Sequence, residues 1–262
     1  MKLASLLDVL WAATLTHRVR DNYSDRGGII LVSPPGHLKT TFLSLFSDFT
    51  GVLGYSDLTS MSLLESRDAI VSGKVHTLLL YDMQKLYERR ADTASNIIGN
   101  LRALAGEGFA TASFERVSRN VIQQKARALV LGACTHAFYR QHLAEWEETG
   151  FARRFLFSVF RLKNPDIVLE RVLKDNPIEL IYSRVNIPAN LVIEAKITEE
   201  DERLVTSALG KQQEAIPALL LRRILAVLRW RFQRMKKADR SAKIIEDFAQ
   251  SLSKEGALLE VK

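Results

Sequence analysis

The stretch of sequence with the clearest chemical content runs from Ile29 to Thr41 and reads IILVSPPGHLKTT. Four apolar residues predict a short buried strand, and Pro-Pro-Gly predicts a tight turn after it. A Lys-Thr pair then opens a helix that we expect to extend from Thr40 to Asp48. This arrangement suits phosphate binding, because N–H groups in the turn and at the helix start point toward anionic oxygens.

Each residue type in this segment has a place in such a site. Lysine reaches the outer phosphates of a nucleotide, and the hydroxyl that follows it ligates Mg²⁺. An ordinary strand, turn and helix with an incidental Lys-Thr pair is the alternative. We name residues 33–41 the 33–41 loop, and its expected nucleotide contacts are Pro35, Gly36, His37, Leu38, Lys39, Thr40 and Thr41.

A second apolar run, Thr77 to Tyr81, ends at Asp82. Residues 29–41 resemble the phosphate loop of P-loop NTPases, which hold Mg²⁺ with an aspartate at the end of a second strand. That resemblance implies Thr40 and Asp82 as the metal ligands. Met83 follows the aspartate and has no group that accepts a proton. Gln84 could orient a water and Glu88 could reach in from the next turn. A buried strand that ends in a solvated aspartate is the simpler alternative.

The loop and this strand together resemble P-loop NTPases, and most closely the Gly-Pro-Pro-Gly-Thr-Gly-Lys-Thr loop of AAA+ ATPases. Ser33 replaces the first glycine, Leu38 replaces the glycine before lysine, and Met83 replaces the glutamate that activates water in that family. A Cβ at Leu38 disfavours the positive φ that glycine allows. The resemblance implies ATP and Mg²⁺ as cofactors and catalytic roles for Lys39 and Asp82, whereas hydrolysis stays open.

Residues 106–127 contain two alternating segments around Ser118-Arg-Asn120, a pattern that predicts a β-hairpin. Its position just before the apolar run 128–132 resembles the pre-sensor-1 hairpin of the minichromosome-maintenance branch of AAA+. That resemblance implies DNA contacts from Arg116, Arg119 and Lys125. A solvated surface hairpin is the alternative.

The same resemblance assigns roles to further polar residues. Thr135 matches the sensor position at the end of a strand, although asparagine is commoner there. The Arg-Phe step makes Arg154, with Arg153 second, the expected arginine that enters a neighbouring subunit's site, and arginine suits phosphate oxygens. Arg223 or Arg222 matches the lid arginine that touches the outer phosphate. Solvated surface charge is the alternative for all four arginines.

The elements that must position these residues follow from the apolar pattern. Short apolar runs at 29–32, 77–81, 128–132 and 155–160 alternate with helical patterns, which predicts an α/β fold with a parallel sheet covered on both faces. After Lys163-Asn-Pro the pattern is helical. We therefore expect an α/β core over 1–162, a connector over 163–197 and a helical lobe over 198–262. The resemblance implies that these are a P-loop NTPase (AAA+) core and its C-terminal helical lid.

Composition narrows the class of protein. The chain has 262 residues, 47% of them apolar, and a single cysteine, which excludes an internal disulfide and favours the cytoplasm. No apolar stretch is long enough to span a membrane, and Asp8 interrupts the first apolar segment, so we expect an amphipathic helix there. The net charge is +7, and residues 211–243 hold ten basic and two acidic residues. Such a basic helix could bind DNA or an acidic partner, or form a solvated face.

The resemblance thus implies an ATP-binding AAA+ module that acts on DNA as a ring-type helicase, translocase or helicase loader in replication, of phage or plasmid type. We expect a homo-oligomer, such as a hexameric ring, with DNA and a replication protein as partners and no membrane association. The alternative is a nucleotide-dependent oligomeric scaffold with little or no hydrolysis. A third possibility is an interaction protein whose altered loop binds no nucleotide.

Overall fold

The computed structural model describes residues 1–109, 125–175, 187, 190–210, 215–234, 239–252 and 259–261. Its centre is a six-stranded sheet in which every described pairing is parallel. In spatial order the strands are β3 (Val52–Tyr55), β4 (Thr77–Leu80), β5 (Leu129–Thr135), β2 (Gly28–Ser33), β6 (Phe155–Leu162) and β8 (Leu259–Val261). Two short strands, β1 (Val19–Arg20) and β7 (Ile193–Glu194), pair with each other in parallel. The α/β class with a parallel sheet is therefore confirmed.

Helices connect the strands and cover both faces of the sheet. They are α1 (Leu3–Thr14), α2 (Lys39–Ser44), α3 (Ser60–Val71), α4 (Gln84–Tyr87), α5 (Ala91–Ala105), α6 (His136–Glu148), α7 (Pro165–Asp175), α8 (Glu199–Leu209), α9 (Ala215–Arg234) and α10 (Arg240–Ala249). Two 3₁₀ turns lie at Thr16–Arg18 and Ala152–Arg154.

The apolar strands are explained by burial on two sides. In β2, Ile29 and Leu31 pack into the core that α1, α9 and α10 share, whereas Ile30 and Val32 pack into the core on the other face with α3, α5 and α6. A strand covered on both faces needs apolar residues at every position. Strand β2 lies between β5 and β6, so the loop that follows it leaves from the interior of the sheet.

The helix after the 33–41 loop begins at Lys39 and ends at Ser44, so it stops before Asp48, where the sequence predicted its end. The hydroxyl of Ser44 donates to the Thr41 carbonyl at 2.9 Å, and the hydroxyl of Ser47 donates to the Ser44 carbonyl at 2.8 Å. Side-chain bonds of this kind compete with the helical N–H groups for the same carbonyls.

The helices of the predicted lid lobe share a core with the sheet. Residues of α9 and α10 belong to the same apolar cluster as α1, Ile29 and Leu31, and β8 extends the sheet beyond β6. The sheet therefore includes residues outside the predicted core of 1–162.

Arginines of α9 pair with acidic residues elsewhere in the chain. Arg222 binds Glu202, Arg223 binds Asp21, Arg229 binds Asp201 and Arg231 binds Asp8. Arg231 also lies 4.6 Å from the centre of the Trp11 ring. Charges near an apolar core need partners, and these pairs supply them. Arg229 and Arg231 thus hold helices together instead of forming a solvated basic face. Within the described ranges, no helix is both long and apolar enough to cross a membrane.

Candidate functional site

The 33–41 loop follows β2 at the carboxyl edge of the sheet, by which we mean the edge where the parallel strands end. Gly36 has φ of 76° and Leu38 has φ of 59° and ψ of 19°. Leu38 is the one residue other than glycine with positive φ in the described part of the chain. Left-handed backbone costs an L-residue about 1–2 kcal/mol. The leucine side chain packs against the core, and this burial offsets the strain. The loop therefore adopts the conformation that a glycine would favour.

Lys39 is held inside the loop. Its Nζ donates to the carbonyls of Ser33 at 2.9 Å and Pro34 at 2.8 Å. An ammonium group has three N–H donors, so one is left for an anion. Burial lowers the pKa of Lys39, and the nearby carboxylate of Asp82 acts in the opposite direction. The lysine is thus fixed at the mouth of the loop with Asp82 within electrostatic reach.

Thr40 and Asp82 lie next to each other although they are distant in the chain. The Thr40 hydroxyl donates to the carbonyl of Tyr81 at 3.3 Å, and Tyr81 directly precedes Asp82. One carboxylate oxygen of Asp82 accepts from the N–H of Gln84 at 2.9 Å, which leaves the other oxygen available. In the described part of the chain, no group of three acidic, histidine or cysteine side chains forms a metal cage. Magnesium commonly needs only one or two protein ligands beside phosphates and waters, so this pair suits it.

Two further predicted residues, Thr135 beside the loop and His37 within it, connect the loop to neighbouring strands. Thr135 ends β5 directly opposite Ser33, and its hydroxyl accepts from the N–H of Phe138 as the cap of α6. His37 accepts from the N–H of Leu162 at 2.9 Å through Nδ1, which ties the loop to the end of β6. Burial, Lys39 and Arg161 lower the pKa of His37. The structure therefore brings the 33–41 loop, Asp82 and Thr135 together at one edge.

The position after Asp82 faces the core. Met83 is 0% exposed and its N–H donates to the Ala133 carbonyl at 2.9 Å. A Cβ on Gly132 would lie 3.0 Å from the Met83 sulfur, so this side chain fills the space over β5. Gln84 begins α4, and Glu88 lines a shallow surface pocket with Lys85 and Arg89. The methionine position is thus a packing position and offers no base.

The structure does not bring Arg222 and Arg223 to the loop, which corrects the expectation that they touch a phosphate bound there. A Cβ on Gly27, before β2, would lie 3.2 Å from a Leu220 methyl, so the start of α9 is at the opposite, amino edge of the sheet. Arg223 is 1% exposed and binds Asp21 through two bonds of 2.6 and 2.7 Å. A buried charge needs a partner, and the guanidinium of Arg223 has one in Asp21. Arg223 is therefore not placed to contact a phosphate in the 33–41 loop.

Arg153 and Arg154 also lie at the amino edge, in the 3₁₀ turn before β6. Arg154 donates to the Glu107 carboxylate at 2.8 Å and to the Gly150 carbonyl at 2.7 Å. Arg153 is exposed. Neither residue is near its own 33–41 loop, so a role in a neighbouring subunit, with Arg154 as the first candidate and Arg153 as the second, stays a prediction.

The predicted hairpin falls mostly outside the described residues, and Arg116 and Arg119 lie there. Its base is described: Phe109 and Ala126 form an antiparallel bridge, and Lys125 next to it is exposed. Antiparallel pairing of these two positions is what a hairpin over 110–124 requires. Contacts of these residues with DNA stay a prediction.

The sequence did not reveal the carbonyl contacts that shape the site. The carbonyls of Ser33 and Pro34 hold Lys39, and the carbonyl of Tyr81 holds Thr40. Backbone acceptors carry no residue-type signal, so spacing could not identify them. Cys134 was also missed: it is buried at the end of β5, and burial raises the pKa of its thiol, so it stays protonated beside Lys39.

No protein-family model matches the chain, and no curated protein matches it in sequence.

Proposed function

We propose that this protein is a P-loop module of AAA+ type that binds ATP with Mg²⁺ and acts on DNA. The observation that carries the nucleotide part is the backbone of Leu38, which keeps positive φ directly before Lys39 and Thr40. A chain that only needed a turn between β2 and α2 has no reason to place a β-carbon in a strained conformation at this position.

The residues of the site have the side chains that binding of ATP phosphates and Mg²⁺ would require. Lys39 and the N–H groups of the 33–41 loop would hold the phosphates, and Thr40 and Asp82 would hold Mg²⁺. The metal would neutralise phosphate charge and polarise the outer phosphate. Thr135, opposite Ser33, would contact the outer phosphate or its water. Gly36 leaves open space beside the loop, because a Cβ there would meet no atom within 4 Å.

Action on DNA rests on the resemblance and on the order of its motifs. The paired residues Phe109 and Ala126 and the exposed Lys125 support a hairpin directly before β5. The arginines of the turn before β6 lie at the far edge from their own loop, so they would contact a bound nucleotide only in a neighbouring subunit. Function as a replication helicase, translocase or loader in an oligomeric ring is part of this proposal.

A second function is favoured by one observation, the burial of Met83. A side chain that is 0% exposed cannot be exchanged for a water-activating base without rebuilding the core. The protein could therefore bind ATP to assemble an oligomer and hydrolyse it slowly or not at all. Turnover would need Gln84, Glu88 or a group of another subunit to orient the water.

Nucleotide binding is tested by the melting temperature in saturating Mg·ATP, since a ligand at 100 times its Kd stabilises the fold by about 2.7 kcal/mol. We expect a clear rise for the native protein and none for Lys39→Ala. Lys85→Ala is the matched control, because it removes the same charge from an exposed side chain just after Asp82. An unchanged melting temperature in the native protein would refute nucleotide binding.

The choice between the two functions needs phosphate release and oligomer size, each measured with and without single-stranded DNA. DNA-stimulated release that Lys39→Ala abolishes supports the motor. A change of mass with ATP but no phosphate release supports the scaffold. DNA binding that does not weaken as salt rises would contradict contact with the phosphate backbone.

A further inference from the structure

A group of basic side chains lies at the amino edge of the sheet, where β2 and β5 begin side by side. Arg26 is two residues before β2, and Arg127 is two residues before β5. These strands pair in parallel with Gly28 opposite Val130, so the two arginines enter the sheet next to each other. Strand β2 has six residues and spans about 20 Å, so this group is separate from the 33–41 loop at its other end.

Arg26 is a half-buried arginine whose side chain forms no ion pair and no hydrogen bond in the described part of the chain. Burial and repulsion from Arg223 and Arg127 lower its pKa, and the carboxylate of Asp21 acts in the opposite direction. Both carboxylate oxygens of Asp21 already accept from Arg223, at 2.6 and 2.7 Å. A half-buried charge without a partner is unfavourable, so Arg26 keeps the capacity to bind an anion.

Two further cations at this place have no carboxylate partner among the described residues. Arg127 donates to the carbonyl of Glu107 at 3.0 Å, which is a neutral acceptor. The carboxylate of Glu107 instead accepts from Arg154 at 2.8 Å. Lys125 is exposed and lies beside Arg127, because a Cβ on Gly108 would be 2.6 Å from the Cβ of Lys125 and 3.2 Å from the guanidinium carbon of Arg127. The charges of both side chains are therefore available to a ligand.

We name Arg26, Lys125 and Arg127 the amino-edge cations. They differ from the buried arginines of α9, each of which binds a carboxylate, as Arg223, Arg229 and Arg231 do. The acidic neighbour of Arg26 in the sequence, Asp25, lines a separate groove beside α8 and α9. The fold thus neutralises the charges that it uses for packing and leaves the amino-edge cations without counterions.

Phosphate is the anion that best suits this group. A guanidinium can donate two N–H groups to phosphate oxygens, and several cations along one surface match the repeated charge of a nucleic-acid backbone. Lys125 lies next to the bridge between Phe109 and Ala126, at the base of the predicted hairpin. A strand in contact with that hairpin would pass Lys125. We propose that the amino-edge cations bind the phosphate backbone of a DNA strand. This inference rests on the proposed action on DNA and does not depend on nucleotide binding.

The test is fluorescence anisotropy of a fluorescein-labelled thymidine oligonucleotide titrated with the full chain, without nucleotide and at several salt concentrations. Arg26→Gln and Arg127→Gln should each weaken binding by about three- to tenfold and lower the slope of log K against log salt by about 0.7, the value for one phosphate contact on a single strand. Arg127→Lys keeps the charge and should keep the slope. Lys85→Gln removes one exposed charge at the carboxyl edge and should change neither quantity.

The melting temperature separates binding of DNA from a structural role. Arg26 lies among cations that repel it, so Arg26→Gln should leave the melting temperature unchanged or raise it. A fall of more than about 3 °C, roughly 1 kcal/mol for a chain of this size, would assign Arg26 to the fold and overturn its role in binding. If the native protein binds the oligonucleotide and neither glutamine variant weakens binding, the inference fails and action on DNA stands. If the native protein does not bind it, both fail.

Discussion

The rings of His17 and His76 stack with their centres 3.5 Å apart, and this buried pair predicts a loss of stability in mild acid. Burial lowers the pKa of His17 to about 3 and that of His76 to about 4, with repulsion from Arg18 and Arg26 adding to the effect. In the unfolded chain both histidines titrate near 6.5. Between pH 6.5 and pH 4 the unfolded state therefore binds more protons than the folded state. The stability due to the neutral pair is complete above pH 6.5 and is lost as the pH falls.

The magnitude follows from these pKa values. Lowering the pH from 7 to 5 favours the unfolded state by about 2 kcal/mol for each histidine, so the pair accounts for about 3–4 kcal/mol. This is a large part of the roughly 5–15 kcal/mol by which a typical domain is stable. Other titrating groups contribute in the same range, so the measured quantity is a difference between two proteins.

The comparison uses His17→Asn together with His76→Gln. His17 donates through Nδ1 to the Thr14 carbonyl at 2.9 Å, and His76 donates through Nε2 to the Thr50 carbonyl at 3.1 Å. An asparagine amide can replace the first donor and a glutamine amide the second, so both bonds can be kept. Urea unfolding followed by circular dichroism at pH 7, 6 and 5 gives the free energy of unfolding of each protein. The native protein should lose about 3–4 kcal/mol more than the variant between pH 7 and pH 5. Curves that stay parallel within about 1 kcal/mol would refute neutral burial of the pair.

Three further predictions test other parts of the structure. Leu38→Gly should change the Kd for Mg·ATP by no more than about threefold, because the backbone of Leu38 already has the positive φ that glycine allows. If calorimetry shows that the variant binds Mg·ATP more than about tenfold more tightly, the Cβ of Leu38 obstructs the loop. Met83→Glu should lower the free energy of unfolding by about 3 kcal/mol or more and should not start phosphate release, because it buries a carboxylate. Arg231→Met should cost about 3–5 kcal/mol in urea unfolding, whereas Arg231→Met with Asp8→Asn should recover most of it, since the single change strands a buried charge. Equal losses in the single and double variants would contradict the last prediction.

Local patterns were enough to identify the elements of the fold that carry the loop. The apolar run of β2 and the turn after it predicted the site of Lys39 and Thr40, because burial on both sheet faces and the breaking of a strand by Pro-Pro-Gly are local effects. The end of α2 at Ser44 was not predicted, since serine hydroxyls bind carbonyls only when the turn has already formed. The helical spacing of the apolar residues does not show that the hydroxyls of Ser44 and Ser47 bind backbone carbonyls at this helix end.

Positions that depend on distant partners could not be predicted in the same way. Arg223 has the residue type and helix position of a phosphate-contacting group, yet it binds Asp21, two hundred residues earlier in the chain. Leu38 was expected to be unfavourable at positive φ, and the structure shows the strained conformation. In both cases the tertiary environment decides, because buried ion pairs and core packing outweigh local preferences.

The packing of α1 against α9 and α10 has a consequence for how the chain acquires its structure during synthesis. The apolar face of α1 is made first, but its partners follow roughly two hundred residues later. At about 5–20 residues per second this face stays uncovered for roughly 10–40 seconds on the ribosome. Contacts so far apart in sequence also make folding slow. We therefore expect that truncation before α9 leaves the apolar face of α1 exposed and makes the product prone to aggregate.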